Sequence, residues 1–259
     1  MTIGWDPSKY LEFAGPRLQP AVDLLARVPL ADPAVVYDLG CGAGNVTRLL
    51  ARRWPEAMVT GVDASEAMLA AAAGASPGVT WVRADLRSWR SSSAPRPADL
   101  VFSNAALHWL DDHAGLFPRL LRELRPGCVL AVQMPRNHQA PSHTEMVAAA
   151  REGPWRDRLA PVLRQRPVAE PAVYYDLLAP HAGRLDLWET EYLHVLEGEH
   201  PVVEWTRGSA LKPLLDALAE PERSAFLAAY AERIARAYPR RPDGRTLFPF
   251  RRLFLLAVR

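Results

Sequence analysis

Apolar and polar residues follow two alternating patterns between residues 35 and 134. Short apolar runs have the length and β-branched content of buried strands, and apolar residues in the stretches between them recur at helical spacing. The apolar runs predict five strands, over 35–39, 58–63, 79–84, 98–103 and 128–134. Strands that alternate with helices in this way are typical of a parallel sheet with helices on both faces.

Beyond Pro135 this alternation is lost. Residues 184–195 alternate in polarity as a strand does, and residues 253–258 form a short apolar run. We therefore predict an α/β fold: a Rossmann-like, doubly wound, mostly parallel sheet of seven strands, with a helical cap inserted in the C-terminal half. The predicted parts of this single domain, 1–259, are a core over 30–135 with strands near 184–195 and 253–259, a cap over 136–183 and 200–250, and an N-terminal arm over 1–20.

Composition excludes several classes of protein without choosing a function. The 259 residues are 49% apolar, which suffices for a buried core, and a net charge of +2 offers no basic surface for nucleic acid. The two cysteines have neither disulfide nor metal-ligand spacing and suit a reducing cytoplasm. The first residues lack a targeting pattern, and no apolar run is long enough to cross a bilayer. We expect a cytoplasmic monomer without metal, nucleic-acid or membrane partners.

The first strand runs directly into a turn in which Gly40, Gly42 and Gly44 alternate with other residues. In open α/β sheets the carboxyl ends of the strands hold the ligand, and glycine lets the backbone approach it closely. Dinucleotide sites have the spacing G-x-G-x-x-G, whereas the spacing here is G-x-G-x-G and follows Asp38. A carboxylate at Asp38 repels a pyrophosphate and favours a cation, such as the sulfonium and amino-acid group of S-adenosylmethionine.

Two further aspartates follow the next two predicted strands. Asp63 comes about 20 residues after the glycine turn, the place from which a carboxylate binds ribose hydroxyls. Asp85 ends the third strand and is placed to accept a hydrogen bond from an adenine amino group. Aspartates in these positions also cap helices, and a nicotinamide-dependent oxidoreductase is the alternative that the glycine spacing and Asp85 disfavour.

These motifs resemble those of the class I S-adenosylmethionine-dependent methyltransferases. The resemblance rests on the glycine turn with its preceding strand, on Gly61-Val62-Asp63 with Ser65 and Met68, and on Ala84-Asp85-Leu86. It implies this fold and S-adenosylmethionine as cofactor, with S-adenosylhomocysteine as product. The cofactor-binding residues that it implies are Asp38, Gly40, Gly42, Gly44, Asn45, Asp63, Ala64, Met68, Asp85, Leu86 and Asn104.

A second set of motifs extends over nearly the whole chain and is similar to the trans-aconitate 2-methyltransferase family. The motifs are Trp5-Asp6-Pro7 with Tyr10-Leu11, residues 20–30, 103–113 and 130–135, Tyr174-Tyr175-Asp176, and Arg252-Leu253-Phe254. The resemblance implies methyl transfer to a carboxylate of trans-aconitate, which gives a monomethyl ester. The family often has Gln where this chain has His108, and Arg where it has Lys212.

The chemistry of such a reaction needs few catalytic groups. A carboxylate is already ionised at neutral pH and attacks a methyl group without a general base, so alignment and exclusion of water supply the catalysis. We predict no catalytic residue and three positioning residues, His108, Trp109 and Gln133. A polycarboxylate needs cations and hydrogen-bond donors, and the predicted substrate-binding residues are Trp5, Tyr10, His108, Gln133, Arg207, Lys212 and Arg252. The alternatives are methylation of another small acidic metabolite and a non-catalytic cofactor-binding module.

Overall fold

The structure is a computed structural model that describes residues 14–74, 78–91, 94–163 and 168–259. The strands are β1 Val35–Leu39, β2 Met58–Asp63, β3 Thr80–Arg83, β4 Leu100–Asn104, β5 Val129–Pro135, β6 Arg184–Leu196 and β7 Thr246–Val258. They form one seven-stranded sheet in the order β3-β2-β1-β4-β5-β7-β6. The strands from β3 to β5 in this order pair in parallel, and β7 pairs antiparallel with β5. The predicted seven-stranded, mostly parallel sheet is confirmed.

Helices precede and connect these strands. Those described are α1 Ala14–Ala26, α2 Asn45–Arg53, α3 Glu66–Ala73, α4 His113–Arg122, α5 Pro141–Glu152, α6 Arg156–Leu159, α7 Pro171–Leu178, α8 Pro201–Arg207, α9 Lys212–Asp216 and α10 Glu222–Ala237. Short 3-10 turns cover Leu107–Trp109, Ala160–Val162 and Ala179–His181. Ser65 caps α3 by accepting a hydrogen bond from the backbone of Met68, and Asp112 caps α4 in the same way.

The described chain divides into two compact units. A sheet unit contains Ala14–Pro135, 168–190 and Arg252–Arg259, and a cap unit contains 136–163 and Glu191–Arg251. The helix α7 was predicted as part of a cap that extends to residue 183, whereas Tyr174 packs edge-on against Phe117 of α4 with ring centroids 5.1 Å apart. This aromatic contact explains why α7 belongs with the sheet.

The closing strand is longer than the apolar run that predicted it. The run begins at residue 253, but β7 begins at Thr246. In its first half only alternate residues are buried, among them Phe248 and Phe250, whose rings both pack near Trp205 in the cap unit. The apolar run that predicts the strand stops at Arg251 and Arg252, and Pro249 argues against a strand before them, so the sequence does not indicate this first half.

One face of the sheet carries the main apolar core of the sheet unit. Leu130, Val132 and Met134 of β5 alternate onto this face and are almost completely buried with Phe117 of α4 and Tyr174 of α7. The intervening residues of β5 point to the opposite face, because side chains alternate along a strand. That opposite face ends in Gln133 at the carboxyl edge of the sheet, where ligands bind in folds of this class.

Candidate active site

Polar side chains occupy one face of the sheet at the carboxyl ends of β1, β2, β4 and β5. Asp38 pairs with Gly61 of β2, which lies two residues before Asp63. It also pairs with Phe102 of β4, which lies two residues before Asn104. Asn104 pairs in turn with Gln133. Paired residues share a face, and residues two apart along a strand share it too. The register therefore brings Asp38, Asp63, Asn104 and Gln133 to one face and one edge.

The glycine turn has the shape that a ligand-binding loop requires. Gly40 and Gly42 have positive φ angles of 76° and 54°, a backbone region that side chains disfavour. A Cβ atom at Gly40 would collide with the methyl group of Ala106, and it would also lie 3.7 Å from a methyl carbon of Leu86. A Cβ atom at Gly42 would meet no described atom within 4 Å. Gly42 thus faces open space from which a ligand can reach the backbone.

Asp63 links β2 to the glycine turn. Its Oδ2 accepts a hydrogen bond from the backbone N–H of Gly42 at 2.9 Å, and its Oδ1 accepts one from that of Ser65 at 2.8 Å. An ionised carboxylate has about four acceptor sites, so two remain for hydroxyl groups of a ligand. Of the two neighbouring residues that were also predicted to bind the cofactor, Ala64 is exposed and Met68 is buried, with 5% of its surface exposed.

Asp38 is the most buried charge-bearing group of the site. It is 1% exposed, and its Oδ2 accepts a hydrogen bond of 2.6 Å from Thr47 Oγ1. Burial raises the pKa of Asp38 to about 7, and the negative charge of Asp63 acts in the same direction. A bound cation would favour the ionised form, so Asp38 is suited to sense positive charge at this edge.

Asp85 and Asn45 make local contacts. Asp85 Oδ1 accepts a hydrogen bond of 2.9 Å from the backbone N–H of Arg87, and the Asp85 side chain is 49% exposed. Asn45 accepts a hydrogen bond from the Arg48 guanidinium. The contacts of Asp85 are those of a carboxylate that stabilises a turn, and its predicted bond to an adenine stays a prediction.

Asn104 and Gln133 bury polar atoms that have no hydrogen-bond partner among the described residues. These atoms are Oδ1 of Asn104 and both Oε1 and Nε2 of Gln133, whose side chain is 0% exposed. A buried polar group without a partner costs about 1–3 kcal/mol. Arg252 is 4% exposed and pairs with Pro135, two residues beyond Gln133, so it shares the face of Gln133. A ligand with acceptor and donor groups would satisfy this part of the edge.

The residues after β4 also reach the edge. His108 and Trp109 lie in the 3-10 turn Leu107–Trp109, both half-buried, with ring centroids 5.0 Å apart. This is the position that the sequence predicts for residues beside an acceptor. Trp5 and Tyr10 lie outside the described residues.

Comparison with known proteins agrees with this geometry. Residues 36–127 match the model of a methyltransferase domain family. The chain is 55% identical to the trans-aconitate 2-methyltransferase of Azoarcus sp. (strain BH72), covering 98% of this chain and 99% of that protein. It is 50% identical to the trans-aconitate 2-methyltransferase of Acidovorax ebreus (strain TPSY), covering 98% of both. The chain belongs to the trans-aconitate 2-methyltransferase family. The predicted methyltransferase is confirmed, and with it the S-adenosylmethionine class of cofactor.

Solved structures share the fold at lower sequence identity. Phosphoethanolamine N-methyltransferase 2 of Haemonchus contortus, in complex with S-adenosyl-L-methionine, matches with a TM-score of 0.54 and 19% identity, covering 93% of this chain and 52% of that chain. A protein of Bacillus halodurans C-125 named as a methyltransferase matches with a TM-score of 0.54 and 15% identity, covering 93% and 98%. These likenesses confirm the Rossmann-like methyltransferase fold.

Two cations predicted to bind the substrate of this trans-aconitate 2-methyltransferase family member lie in the cap unit. Arg207 in α8 forms an ion pair of 3.0 Å with Glu204, and Lys212 in α9 forms one of 2.9 Å with Asp216. Each partner lies within the same helix, three or four residues away. Their contact with substrate stays a prediction.

Thr47 and Trp81 shape the site but are not among the residues that the sequence predicts for it. Thr47 lies in the first turn of α2 and donates a hydrogen bond to Asp38. Its hydroxyl group, three positions after the last glycine of the turn, is the sequence signal that could have identified it. The ring of Trp81 lies so close to Gly44 and Gly61 that a Cβ atom at either would meet it at 2.5 Å or less. The pairing of Gly61 with Trp81 across β2 and β3 explains why only glycine fits there.

The described residues hold no group of three or more His, Cys, Asp or Glu side chains that could bind a metal ion. Among the same residues no helix is both long enough and apolar enough to cross a membrane.

Proposed function

We propose that this chain transfers the methyl group of S-adenosylmethionine to a carboxylate of trans-aconitate, producing a monomethyl ester and S-adenosylhomocysteine. The names of its relatives support this substrate. The observation that carries the proposal is the polar face at the sheet edge, where Asp38 lies near an open glycine turn and Gln133 lies near the buried Arg252. One end of this face suits a cation and the other suits a carboxylate.

The residues at the ends of β1, β2 and β4 fit the cofactor. When bound, S-adenosylmethionine supplies a methyl group made electrophilic by a sulfonium charge. Asp63 would accept hydrogen bonds from ribose hydroxyls through its two remaining acceptor sites, and Gly42 would leave the backbone open to close contact. Asp38 would balance positive charge, and Asn104 Oδ1 would gain a donor that the described residues do not give it. We keep Asn45, Ala64, Met68, Asp85 and Leu86 as proposed cofactor contacts.

The acceptor carboxylate needs orientation more than activation. It carries a negative charge at neutral pH, so no side chain has to remove a proton. Arg252 would bind one carboxylate and the amide of Gln133 would donate to another, while His108 and Trp109 would limit the approach of the substrate. Holding the attacking oxygen in line with the methyl carbon and excluding water account for the rate.

The remaining parts of the proposal concern the wider protein. We propose that Trp5, Tyr10, Arg207 and Lys212 bind the substrate. Both cysteines are free and buried, which supports work in a reducing compartment such as the cytoplasm. We propose a monomer that binds a small polycarboxylate and neither nucleic acid nor membrane.

A panel assay tests the substrate. Purified protein is incubated with S-adenosylmethionine and with trans-aconitate, cis-aconitate, citrate or propane-1,2,3-tricarboxylate, and esters are detected by mass. We expect a monomethyl ester of trans-aconitate at the highest kcat/KM. Arg252→Gln should raise KM for this acceptor at least tenfold, whereas Arg52→Gln, at an exposed position of the same unit, should leave it unchanged. Methylation of other acids but not trans-aconitate would contradict the substrate and keep the reaction class.

A further inference from the structure

A row of buried hydrogen bonds runs from α7 to the turn that follows β4. The backbone N–H of Ala169 donates to Tyr174 Oη at 3.2 Å, and Tyr174 Oη lies 2.7 Å from His113 Nδ1. His113 Nε2 lies 3.0 Å from the carbonyl oxygen of Leu107. Tyr174 is 0% and His113 9% exposed, so water does not compete for these groups. All four residues belong to the sheet unit.

With a neutral imidazole at His113, the chemistry of the groups gives each bond one direction. A carbonyl oxygen only accepts, so Nε2 of His113 carries a hydrogen and donates it to Leu107. In a neutral imidazole Nδ1 is then the acceptor, and the hydroxyl of Tyr174 must donate to it. The hydroxyl oxygen keeps a lone pair for the N–H of Ala169. One tautomer of His113 therefore satisfies the whole row.

The row ends at the residue that begins the 3-10 turn Leu107–Trp109. The Leu107 carbonyl also accepts the backbone N–H of Leu110 at 3.0 Å, which closes the turn, so His113 holds the turn at its first peptide group. The side chain of Leu107 is 0% exposed and anchors the same point. The two residues that follow Leu107 in this turn are His108 and Trp109.

The need to fill space in the core does not explain why His113 and Tyr174 are polar. Phe117 packs edge-on against both rings with centroid distances of 5.1 Å, and the surrounding core is apolar. Two apolar rings of similar size would fill the space and remove both partners of the His113–Tyr174 hydrogen bond, a change that can be nearly neutral or stabilising, although the N–H of Ala169 would lose its acceptor. What a polar pair adds is a directed bond, which specifies the position of the peptide group that it reaches.

We propose that His113 and Tyr174 are positioning residues, which hold the Leu107–Trp109 turn so that His108 and Trp109 meet the methyl acceptor. This inference rests on the function proposed above, because it assigns His108 and Trp109 to the acceptor. It also gives a role to the Tyr174-Tyr175-Asp176 motif, of which Tyr174 is the buried member and Tyr175 is 55% exposed.

Kinetics of conservative variants test the proposal. Tyr174→Phe removes only the hydroxyl, and Tyr175→Phe makes the same chemical change at the exposed neighbouring position as a matched control. We expect Tyr174→Phe to lower kcat/KM for trans-aconitate about tenfold, a loss of about 1.4 kcal/mol in transition-state stabilisation, with the Kd of S-adenosylhomocysteine unchanged within about twofold in titration calorimetry. Tyr175→Phe should change neither quantity.

Variants of His113 separate a positioning role from a packing role. His113→Leu removes both hydrogen bonds, whereas His113→Gln keeps an amide N–H that can reach the Leu107 carbonyl. We expect His113→Gln to recover most of the kcat/KM that His113→Leu loses, although both change the packing. Equal kcat/KM in the two variants, or loss of cofactor affinity in parallel with kcat/KM in Tyr174→Phe, overturns the proposal. If His113→Leu does not fold, Tyr174→Phe and its control still decide.

A spectroscopic measurement separates this inference from the proposed function. In proton-nitrogen correlation spectra the indole N–H of Trp109 is identified by its loss in Trp109→Phe. We expect this signal to shift in Tyr174→Phe and not in Tyr175→Phe, and the His113 nitrogens to show the Nε2–H tautomer. If the wild type methylates no polycarboxylate, the proposed function fails while these spectra still decide the positioning role. An unshifted Trp109 signal or the Nδ1–H tautomer refutes it.

Discussion

Asp38→Asn separates the charge of the buried carboxyl from its shape. An asparagine oxygen can still accept the 2.6 Å hydrogen bond from Thr47, and its amide group replaces the hydroxyl of a protonated carboxyl. In the folded protein the pKa of Asp38 is about 7, against 3.8 for a free side chain. The folded state therefore binds the proton more tightly than the unfolded state, and stability falls as the pH rises from about 4 to about 7. About three pKa units correspond to on the order of 4 kcal/mol.

Urea unfolding of ligand-free protein at pH 5, 6, 7 and 8 measures this loss in the free energy of unfolding. We expect wild-type stability to decline relative to Asp38→Asn across this range, with the largest difference at pH 8. The difference in slope decides, because any constant effect of the amide group is the same at every pH. Asp32→Asn, which changes an exposed aspartate of the same unit, should keep the wild-type slope. Parallel pH profiles for Asp38→Asn and the wild type would refute the link between burial and protonation.

Other changes test single contacts of the site. In titration calorimetry, the affinity of the wild type for S-adenosylmethionine should rise with pH through about 7, because Asp38 ionises in this range. Asp38→Asn should remove this rise, and a wild-type affinity that does not change with pH would contradict the prediction. Asp63→Ala should weaken cofactor binding at least tenfold with an unchanged circular dichroism spectrum, and unchanged affinity would exclude the ribose role. Gly40→Ala, which creates a collision, should lower stability in urea by more than Gly42→Ala, which meets open space at a similar φ; equal losses would contradict the turn geometry.

The sequence predicts β1 to β5 because these strands are continuous apolar runs, and it predicts the edge because glycines and aspartates directly follow those runs. It does not predict the first half of β7, where Phe248 and Phe250 alternate with less buried residues. It also places Gln133 at the edge without indicating that its amide is buried and unpartnered, since that depends on neighbouring strands. The partnership of His113 with Tyr174 joins residues 61 positions apart and leaves no local pattern.

Polar atoms that the fold buries without partners connect the stability of the protein to its ligand. Asn104 and Gln133 contribute three such atoms, each of which costs about 1–3 kcal/mol in the described fold. If these residues serve a ligand, replacing Gln133 by Leu should raise or preserve the stability of the free protein, because an amide no longer lies unsatisfied in the core, while KM for the acceptor rises.

Asn104→Leu should likewise stabilise the free protein, but it should reduce the stability gained on adding S-adenosylhomocysteine, since that gain depends on affinity. A residue that only fills the core behaves differently, because its replacement lowers stability with and without ligand alike. Thermal unfolding of Asn104→Leu with and without S-adenosylhomocysteine therefore distinguishes the two roles, and for Gln133→Leu the stability of the free protein together with KM for the acceptor distinguishes them. Where polar groups are retained for binding, replacing them is expected to raise the stability of the free protein and to lower its affinity for the ligand.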